Sequence, residues 1–359
     1  MINVTKAFLP DRQAFDSYID KVWDSAWLTN FGSLSLELEE KLQTYFGVKH
    51  LFLINNGTIA IQIALKSLGY TDGEIITTPF SYVATTSSIV WEGFTPVFVD
   101  IDPNTLTMDP NKIEAAITRK TRAILPVHVY GIPCNVEEIE KVAKKHNLRV
   151  IYDAAHAFGV NYNKQSLLQY GDISTLSFHA TKLFHTIEGG AILTNDDELA
   201  HKIGYMRNFG HKTPVSFYGV GINGKMNEFS AAMGLSIFDQ MPELIKKRKL
   251  IVELYDSLLL SSKKIRRPLI PKDIEYNYAY YPVLFENETM LLRVVAALEK
   301  NEIFPRRYFY PSLNTLNYVS RSSCPISEDI SSRILCLPLY PDLTRNNIKK
   351  ICNSILKVL

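Results

Sequence analysis

Lys182 lies in the run L-S-F-H-A-T-K-L-F-H-T-I-E-G-G, residues 176–190, directly after an apolar stretch with the composition of a β-strand. Its amine sits among hydroxyls and imidazoles, with Glu188-Gly189-Gly190 a few residues on. A lysine so placed is either an ordinary surface charge or a nucleophile: beside apolar and aromatic groups it loses its proton more readily, and the free amine attacks carbonyl carbons. Three other segments carry residue types that would complete such a site. N-N-G-T at 55–58 joins a glycine suited to a tight turn to Thr58, which opens a helical pattern; it is either an N-capped turn or a phosphate cradle at a helix N-terminus. P-F-S-Y at 79–82 ends on the aromatic ring of Tyr82. D-A-A-H at 153–156 begins with Asp153, the last residue of the apolar run LRVIYD, where a carboxylate needs a cation or donors to offset its desolvation. That partner could be a protonated pyridine nitrogen, a magnesium ion or a helix N-terminus. Ser177 could add a hydroxyl to an anion held at 55–58 or simply bond the backbone.

These residues can meet only if the strands that carry them end on one side of a sheet. The runs HLFLI, EIITT, PVFVDID, TRAILPV, LRVIYD, ISTLSF and GGAILT alternate with helical patterns such as TIAIQIALKSLG, SYVATTSSIVWEG and VEEIEKVAKKH. That alternation is the signature of β-α-β units feeding a mostly parallel sheet, whose ligands bind beyond the carboxyl ends of the strands. The pattern predicts an α/β fold: a large domain over 1–245, N-terminal segment included, with a mostly parallel central sheet flanked by helices, and a smaller α+β domain over 246–359. A long helical stretch from NEFSAAMGLSIFDQ through PELIKKRKLIVELYDSLLL bridges the two and is expected to be interrupted at Pro242.

Thirty-nine Lys and Arg against 37 Asp and Glu leave a formal charge of +2 on 359 residues. Neither nucleic acid nor a membrane is therefore an expected partner, and an anionic ligand must be held locally. Cys134, Cys324, Cys336 and Cys352 have neither metal-ligand nor redox spacing and are expected as inert thiols of a reducing compartment. The N-terminus lacks the apolar core of a signal peptide and no stretch reaches the length of a membrane span, so a cytoplasmic protein is expected. His156, His179 and His185 match no standard zinc spacing, and no metal is assigned.

A phosphate anchor, an aromatic residue, a strand-final aspartate and then Lys182 together furnish the contacts that pyridoxal 5'-phosphate requires. In this order they resemble the motifs of the DegT/DnrJ/EryC1/StrS family of sugar aminotransferases, fold-type I pyridoxal-phosphate enzymes, and the resemblance spans nearly the whole chain. It implies that Asn56, Gly57 and Thr58, with Ser177, bind the cofactor's phosphate, and that Tyr82 lies over its ring. It also implies that Asp153 partners the pyridine nitrogen, that His156 stands near the phenolic oxygen, and that Lys182 holds the cofactor covalently. GINGKMNEFSAAMG resembles the family's G-x-N-x-R-M-x-E-x-x-A-A segment, whose asparagine reaches the cofactor phosphate of the neighbouring subunit. That role falls on Asn223 and implies a homodimer with shared active sites. Lys225 stands where arginine is usual, a point charge in place of a planar fork. WLTNFG at 27–32, with Thr29 and Asn30, and RRYFYP at 306–311, with Arg306, Tyr308 and Tyr310, combine aromatic faces and donors suited to a nucleotide sugar.

The implied reaction moves an amino group from L-glutamate to a ketosugar, with pyridoxamine 5'-phosphate as the intermediate form and the two substrates accepted in turn. SFHATK followed by Glu-Gly-Gly resembles members that aminate C4 of nucleotide-linked 4-keto-6-deoxyhexoses; the 3-amino enzymes more often show SFYPxK and Asp-Gly-Gly. The expected conversion is dTDP-4-keto-6-deoxy-D-glucose to dTDP-4-amino-4,6-dideoxy-D-glucose. One alternative is a C3 aminotransferase acting on a dTDP-3-keto-6-deoxyhexose; another is a cofactor-binding regulatory protein without turnover. A family dehydratase would carry histidine in place of Lys182, and a cofactor-free lysine aldolase would leave the phosphate turn and Asp153 unexplained.

Overall fold

The seven aliphatic runs form one sheet in the computed structural model, which describes residues 1–359. Their spatial order is His50–Ile54, Gly190–Thr194, Ile173–Ser177, Arg149–Asp153, Thr121–Leu125, Glu74–Thr77 and Thr95–Phe98. Neighbours are parallel except at Gly190–Thr194, which runs antiparallel to both strands beside it. The exception has a local cause. Every parallel return needs a crossover of a dozen or more residues, usually helical, whereas the 178–189 connection carries no helical pattern and closes as an antiparallel hairpin. Lys182 therefore sits in a hairpin loop at the carboxyl edge of the sheet.

Side chains along each strand alternate between two apolar layers, as a pleated strand with both faces covered requires. Ile124, Val150 and Tyr152 face one layer with Leu38 and Leu42 of the Ser33–Phe46 helix, Ile139 of Val136–His146 and Leu235 of Glu228–Phe238. Leu125 and Ile151 face the other, with Ala60, Ile61 and Ala64 of the Gly57–Ser67 helix and Ile203 of Asp197–Met206. The Val136–His146 helix shows how local chemistry fixes such an element. The Asn135 side chain accepts from the Glu138 N–H, acidic residues occupy its first turn, and Lys144, Lys145 and His146 occupy its last. Cap and charges both oppose fraying.

The bridging stretch is two helices, Glu228–Phe238 and Met241–Leu259. The break falls at Asp239–Gln240 rather than at Pro242, which lies in the first turn of the second helix, where a missing N–H forfeits no bond. This second helix gives Met241 and Leu244 to the main apolar layer and Ile251, Val252, Tyr255 and Leu259 to a separate core. Around that core the strands Ile265–Arg266, Tyr281–Phe285 and Ile334–Leu337 pair antiparallel, backed by the helices Glu288–Glu299 and Arg345–Leu356. Ile2–Asn3, grouped by sequence with the large unit, pairs in parallel with Ile303–Phe304 of this lobe. A strand of two residues carries no periodicity from which its partner could be read. All four cysteines are buried free thiols, and no helix is long and apolar enough to cross a membrane.

Candidate active site

The carboxyl ends of the parallel strands and the loops that follow them surround a cleft of about 300 Å³. Gly57, Thr58, Tyr82, Asp153, His156, Ser177, Lys182, Arg306 and Tyr308 all line it, together with Asn56. At one end the Asn56 Oδ1 accepts the Ile59 N–H at 2.9 Å and caps the Gly57–Ser67 helix. The Gly57 and Thr58 N–H groups, in its first turn, have no intrahelical acceptor and concentrate positive potential there. A Cβ on Gly57 would stand 2.7 Å from the Ser177 Cβ. Glycine is what lets the helix start close against the end of the Ile173–Ser177 strand, which brings the Ser177 hydroxyl beside the backbone donors of the helix end.

The hairpin loop that carries Lys182 is anchored on both sides of it by buried aromatic rings. Phe178 and Phe184 meet edge to face at 5.0 Å, and Phe184 stacks on Phe158 at 4.5 Å. Between them the Lys182 N–H donates to the His179 carbonyl at 2.8 Å, closing the turn, while Phe178 and Ala180 donate to Gly189 and Ile187 across the hairpin. Burial pushes the Lys182 amine below the usual lysine range, with the charge of Asp153 opposing. The three histidines considered together in the sequence have separate surroundings. His179 Nδ1 bonds Thr181 Oγ1 at 2.8 Å, His185 Nε2 bonds the Phe8 carbonyl at 2.7 Å, and His156 lines the cleft floor.

Asp153 is 5% exposed. Its Oδ2 accepts the Thr85 hydroxyl at 2.7 Å and its Oδ1 accepts the Ala155 N–H at 3.1 Å. Burial nonetheless pushes its carboxyl above the usual range, against those two donors and the charge of Lys182. It is a buried acid short of positive charge. His156 Nδ1 accepts the Tyr130 N–H at 3.1 Å, which leaves Nε2 as the protonated, donating nitrogen of the neutral ring. Burial and Lys182 both push this imidazole down, so it stays neutral. Its ring stacks on Phe309 at 5.6 Å and meets Tyr280 edge-on at 4.8 Å.

Thr85, Phe309 and Tyr280 were not singled out in the sequence. Thr85 stands in V-A-T-T-S-S among equivalent hydroxyls; its one signal is that it follows Tyr82 by three positions into the Val83–Trp91 helix. Phe309 lies within the nominated RRYFYP segment but was passed over for its neighbours Arg306, Tyr308 and Tyr310, although it lines the cleft; Tyr280 comes from the C-terminal lobe and carries no signal at all.

Five nominated residues do not line the cleft. Asn223 is exposed on a loop whose carbonyl groups bond Asn55, and its Oδ1 accepts Lys225 Nζ at 2.9 Å. Lys225 is buried, 4.4 Å from the centre of the Phe209 ring. Thr29 and Asn30 are exposed on the 27–32 loop, which is anchored by Glu228: its N–H bonds the Leu28 carbonyl and its carboxylate accepts the Leu34 and Ser35 N–H groups. Tyr310 lies under the Arg307 guanidinium, 3.6 Å from its ring centre, and Arg307 pairs with Glu288 at 2.7 Å. The aromatic and basic residues of 306–311 are thus split: Arg306 and Tyr308 line the cleft, while Arg307 and Tyr310 stack on each other.

A buried carboxylate wanting a cation, a neutral imidazole donor, an amine and an anion cradle within one cleft fit pyridoxal 5'-phosphate. On this fold they define a fold-type I pyridoxal-phosphate-dependent aminotransferase. The chain belongs to the DegT/DnrJ/EryC1/StrS aminotransferase family, whose sequence profile matches residues 11–356. It is 43% identical over 366 residues to the dTDP-4-amino-4,6-dideoxy-D-glucose transaminase of Escherichia coli, covering 99% of this chain and 98% of that protein. Among solved structures it is similar to DesI, crystallised in the presence of its TDP-sugar product, with a TM-score of 0.94, 32% identity and coverage of 99% of this chain and 93% of that one. NtdA of Bacillus subtilis, solved with bound PMP, matches with a TM-score of 0.89 at 28% identity, covering 96% of this chain and 81% of that one.

Proposed function

We propose that this aminotransferase moves the amino group of L-glutamate to C4 of dTDP-4-keto-6-deoxy-D-glucose, giving dTDP-4-amino-4,6-dideoxy-D-glucose. The observation that carries the reading is the near full-length similarity to the E. coli enzyme, joined to a cleft that combines Lys182, Asp153 and the helix-end cradle. In this assignment the Gly57 and Thr58 N–H groups and the Ser177 hydroxyl hold the cofactor phosphate, and Tyr82 covers the ring. Asp153 neutralises a protonated ring nitrogen, and His156 Nε2 donates to the phenolic oxygen. When bound, pyridoxal phosphate supplies a carbonyl that condenses with amines and a ring that withdraws electrons from the adjacent carbon.

The chain's own residues then manage the protons. Lys182 Nζ, eased toward its neutral form by burial, takes the α-proton of the donor amino acid in the first half-reaction and delivers a proton to the sugar's C4 in the second. Arg306 and Tyr308, at the cleft wall, bind the nucleotide sugar in this reading, which assigns Thr29 and Asn30, and Lys225 through Asn223, to the site of a neighbouring subunit. We take the large and small domains to divide near residue 245, within the Met241–Leu259 helix. We also place the enzyme in the cytoplasm, where four unpaired thiols stay reduced.

Incubation of the purified protein with glutamate and, separately, the 4-keto and 3-keto dTDP-6-deoxyhexoses is expected to aminate the 4-keto compound. The new C–N bond is located by NMR. A C–N bond at C3 overturns the regiochemistry, and absence of 2-oxoglutarate with either sugar overturns the reading as a working transaminase.

The site is completed by a second copy of the chain in this proposal. Asn223 is exposed beside the cradle, and Phe209, Phe217, Tyr218, Val220 and Ile222 on the same segment expose apolar surface that an interface would cover. Light scattering is expected to return twice the chain mass for the wild type; a monomer that turns over at full rate would exclude any partner role for Asn223.

A further inference from the structure

The helices Glu288–Glu299 and Arg345–Leu356 pack side by side on the C-terminal lobe and leave a groove of about 820 Å³ between them. None of its lining residues lines the Lys182 cleft. Arg293 and Lys300 stand two turns apart on one side, separated by Ala296 and Ala297, whose small side chains keep the floor low. Asn346, Lys349, Lys350, Asn353 and Lys357 recur along one face of the other helix at same-face spacing. Five cations and no carboxylate line the groove.

Glu299, beside Lys300, is exposed and makes no ion pair but does not line the groove, and two other nearby acids are engaged elsewhere. Glu288 pairs with Arg307, and Glu302 lies 3.9 Å from the N-terminal amine. None of the five groove cations is ion-paired. The exposed Val136–His146 helix is built differently, its Lys141 and Lys144 answered by Glu138 and Glu140. Arg345–Leu356 contains no acidic residue, so like charges repel along it and Arg345 sits at the positive end of its dipole. Isolated, this charge pattern opposes the helix; a ligand bearing negative charge relieves it. No aromatic ring lines the groove, so nucleobases would find no stacking platform. Positions 346 to 357 span roughly 16 Å at 1.5 Å per residue, longer than a single phosphate can bridge.

We propose that this groove is a docking surface for an extended acidic polypeptide segment of a partner protein, with carboxylates spaced along it to meet Arg293, Lys300, Lys349, Lys350 and Lys357. Steering by such a patch acts mainly on encounter and is weakened by salt.

The test uses the full-length protein and a fluorescent dodecaglutamate peptide, followed by anisotropy at about 50 mM and about 300 mM salt. The triple variant Lys349→Glu, Lys350→Glu, Lys357→Glu is expected to bind about tenfold or more weakly, and the corresponding triple Lys→Gln variant, which adds no carboxylate, to weaken in the same direction. Reversal of Lys141, Lys144 and Lys145 to Glu, an equal change in net charge, is expected to leave binding within about twofold. Aminotransferase turnover should remain at the wild-type value in all three, which also reports that each has folded. Equal binding by the wild type and both groove variants overturns the proposal, as does an equal loss in the Lys141, Lys144, Lys145 control. Tighter competition by inorganic tripolyphosphate or by a twelve-nucleotide oligonucleotide than by unlabelled dodecaglutamate also overturns it, assigning the groove to phosphate compounds or to nucleic acid.

Discussion

Lys182→Ala is expected to lower turnover by about 10⁴-fold while leaving the fold intact. The Lys182 side chain accepts and donates no hydrogen bond within the chain, and the hairpin that carries it is held by Phe178, Phe184 and backbone bonds that alanine preserves. What is lost is one amine, to which the proposed function assigns both the covalent attachment of the cofactor and the movement of the substrate proton. Lys182→Arg separates these functions from mere positive charge. A guanidinium keeps the charge but does not deprotonate, so the arginine variant is expected to be as inactive as the alanine variant. Added methylamine should restore part of the activity of the alanine variant, which has room for it, and none of that of the arginine variant. The assay is steady-state release of 2-oxoglutarate, paired with borohydride treatment, which should fix the cofactor to the wild-type chain alone. Retention of more than about 1% of turnover in Lys182→Ala would remove this residue from the proton-transfer role.

Asp153→Asn should reduce turnover by on the order of 10²–10³-fold, because the preorganised negative charge facing the ring nitrogen disappears. Its effect on stability has the opposite sign. Burial raises the Asp153 carboxyl, so the folded protein holds that proton more tightly than the unfolded chain does. Such a group favours the folded state most when protonated, and its contribution declines as pH rises from the unfolded carboxylate range through the raised folded value. At neutral pH the cofactor-free wild type therefore carries a desolvated negative charge that asparagine lacks. Asparagine can keep the Ala155 N–H bond and place its amide against the Thr85 hydroxyl. Cofactor-free Asp153→Asn is expected to melt at a higher temperature than cofactor-free wild type at pH 7–8, with the difference shrinking toward pH 4. Saturation with pyridoxal phosphate should reverse the order, since only the wild type gains a buried ion pair. Scanning calorimetry of both proteins across that pH range, with and without cofactor, checks each sign separately. A cofactor-free variant that melts below the wild type throughout would mean that the carboxylate is stabilising by itself.

The extent to which the site was legible follows from what each residue depends on. Asp153, Ser177 and Lys182 could be found because each stands at or just past the end of an aliphatic run, and the end of a parallel strand is where a ligand must sit. Gly57 and Thr58 line the cleft too, but a turn before a helical pattern reads equally as a plain N-cap, and only the resemblance in motif order pointed to an anion there. Tyr310 went astray because RRYFYP reads as a row of equivalent donors and rings, whereas only the packing of Arg307 between Glu288 and Tyr310 decides which of them faces inward. Pro242 misled for a related reason, since proline ends one helix pattern and begins another with equal ease.

What the chain's order of residues determined alone was local and periodic: seven short strands, the helices between most of them, and polar groups left at the strand ends. Those depend on side-chain shape and on apolar residues recurring at a spacing of two or near four, which any window of the sequence carries. The tertiary structure alone decided the antiparallel return at Gly190–Thr194, the pairing of Ile2–Asn3 with Ile303–Phe304, and the Thr85 hydroxyl on Asp153, 68 positions away. Contacts between residues so far apart are selected by how whole layers close over one another, and that free energy belongs to the assembled core rather than to any segment of it.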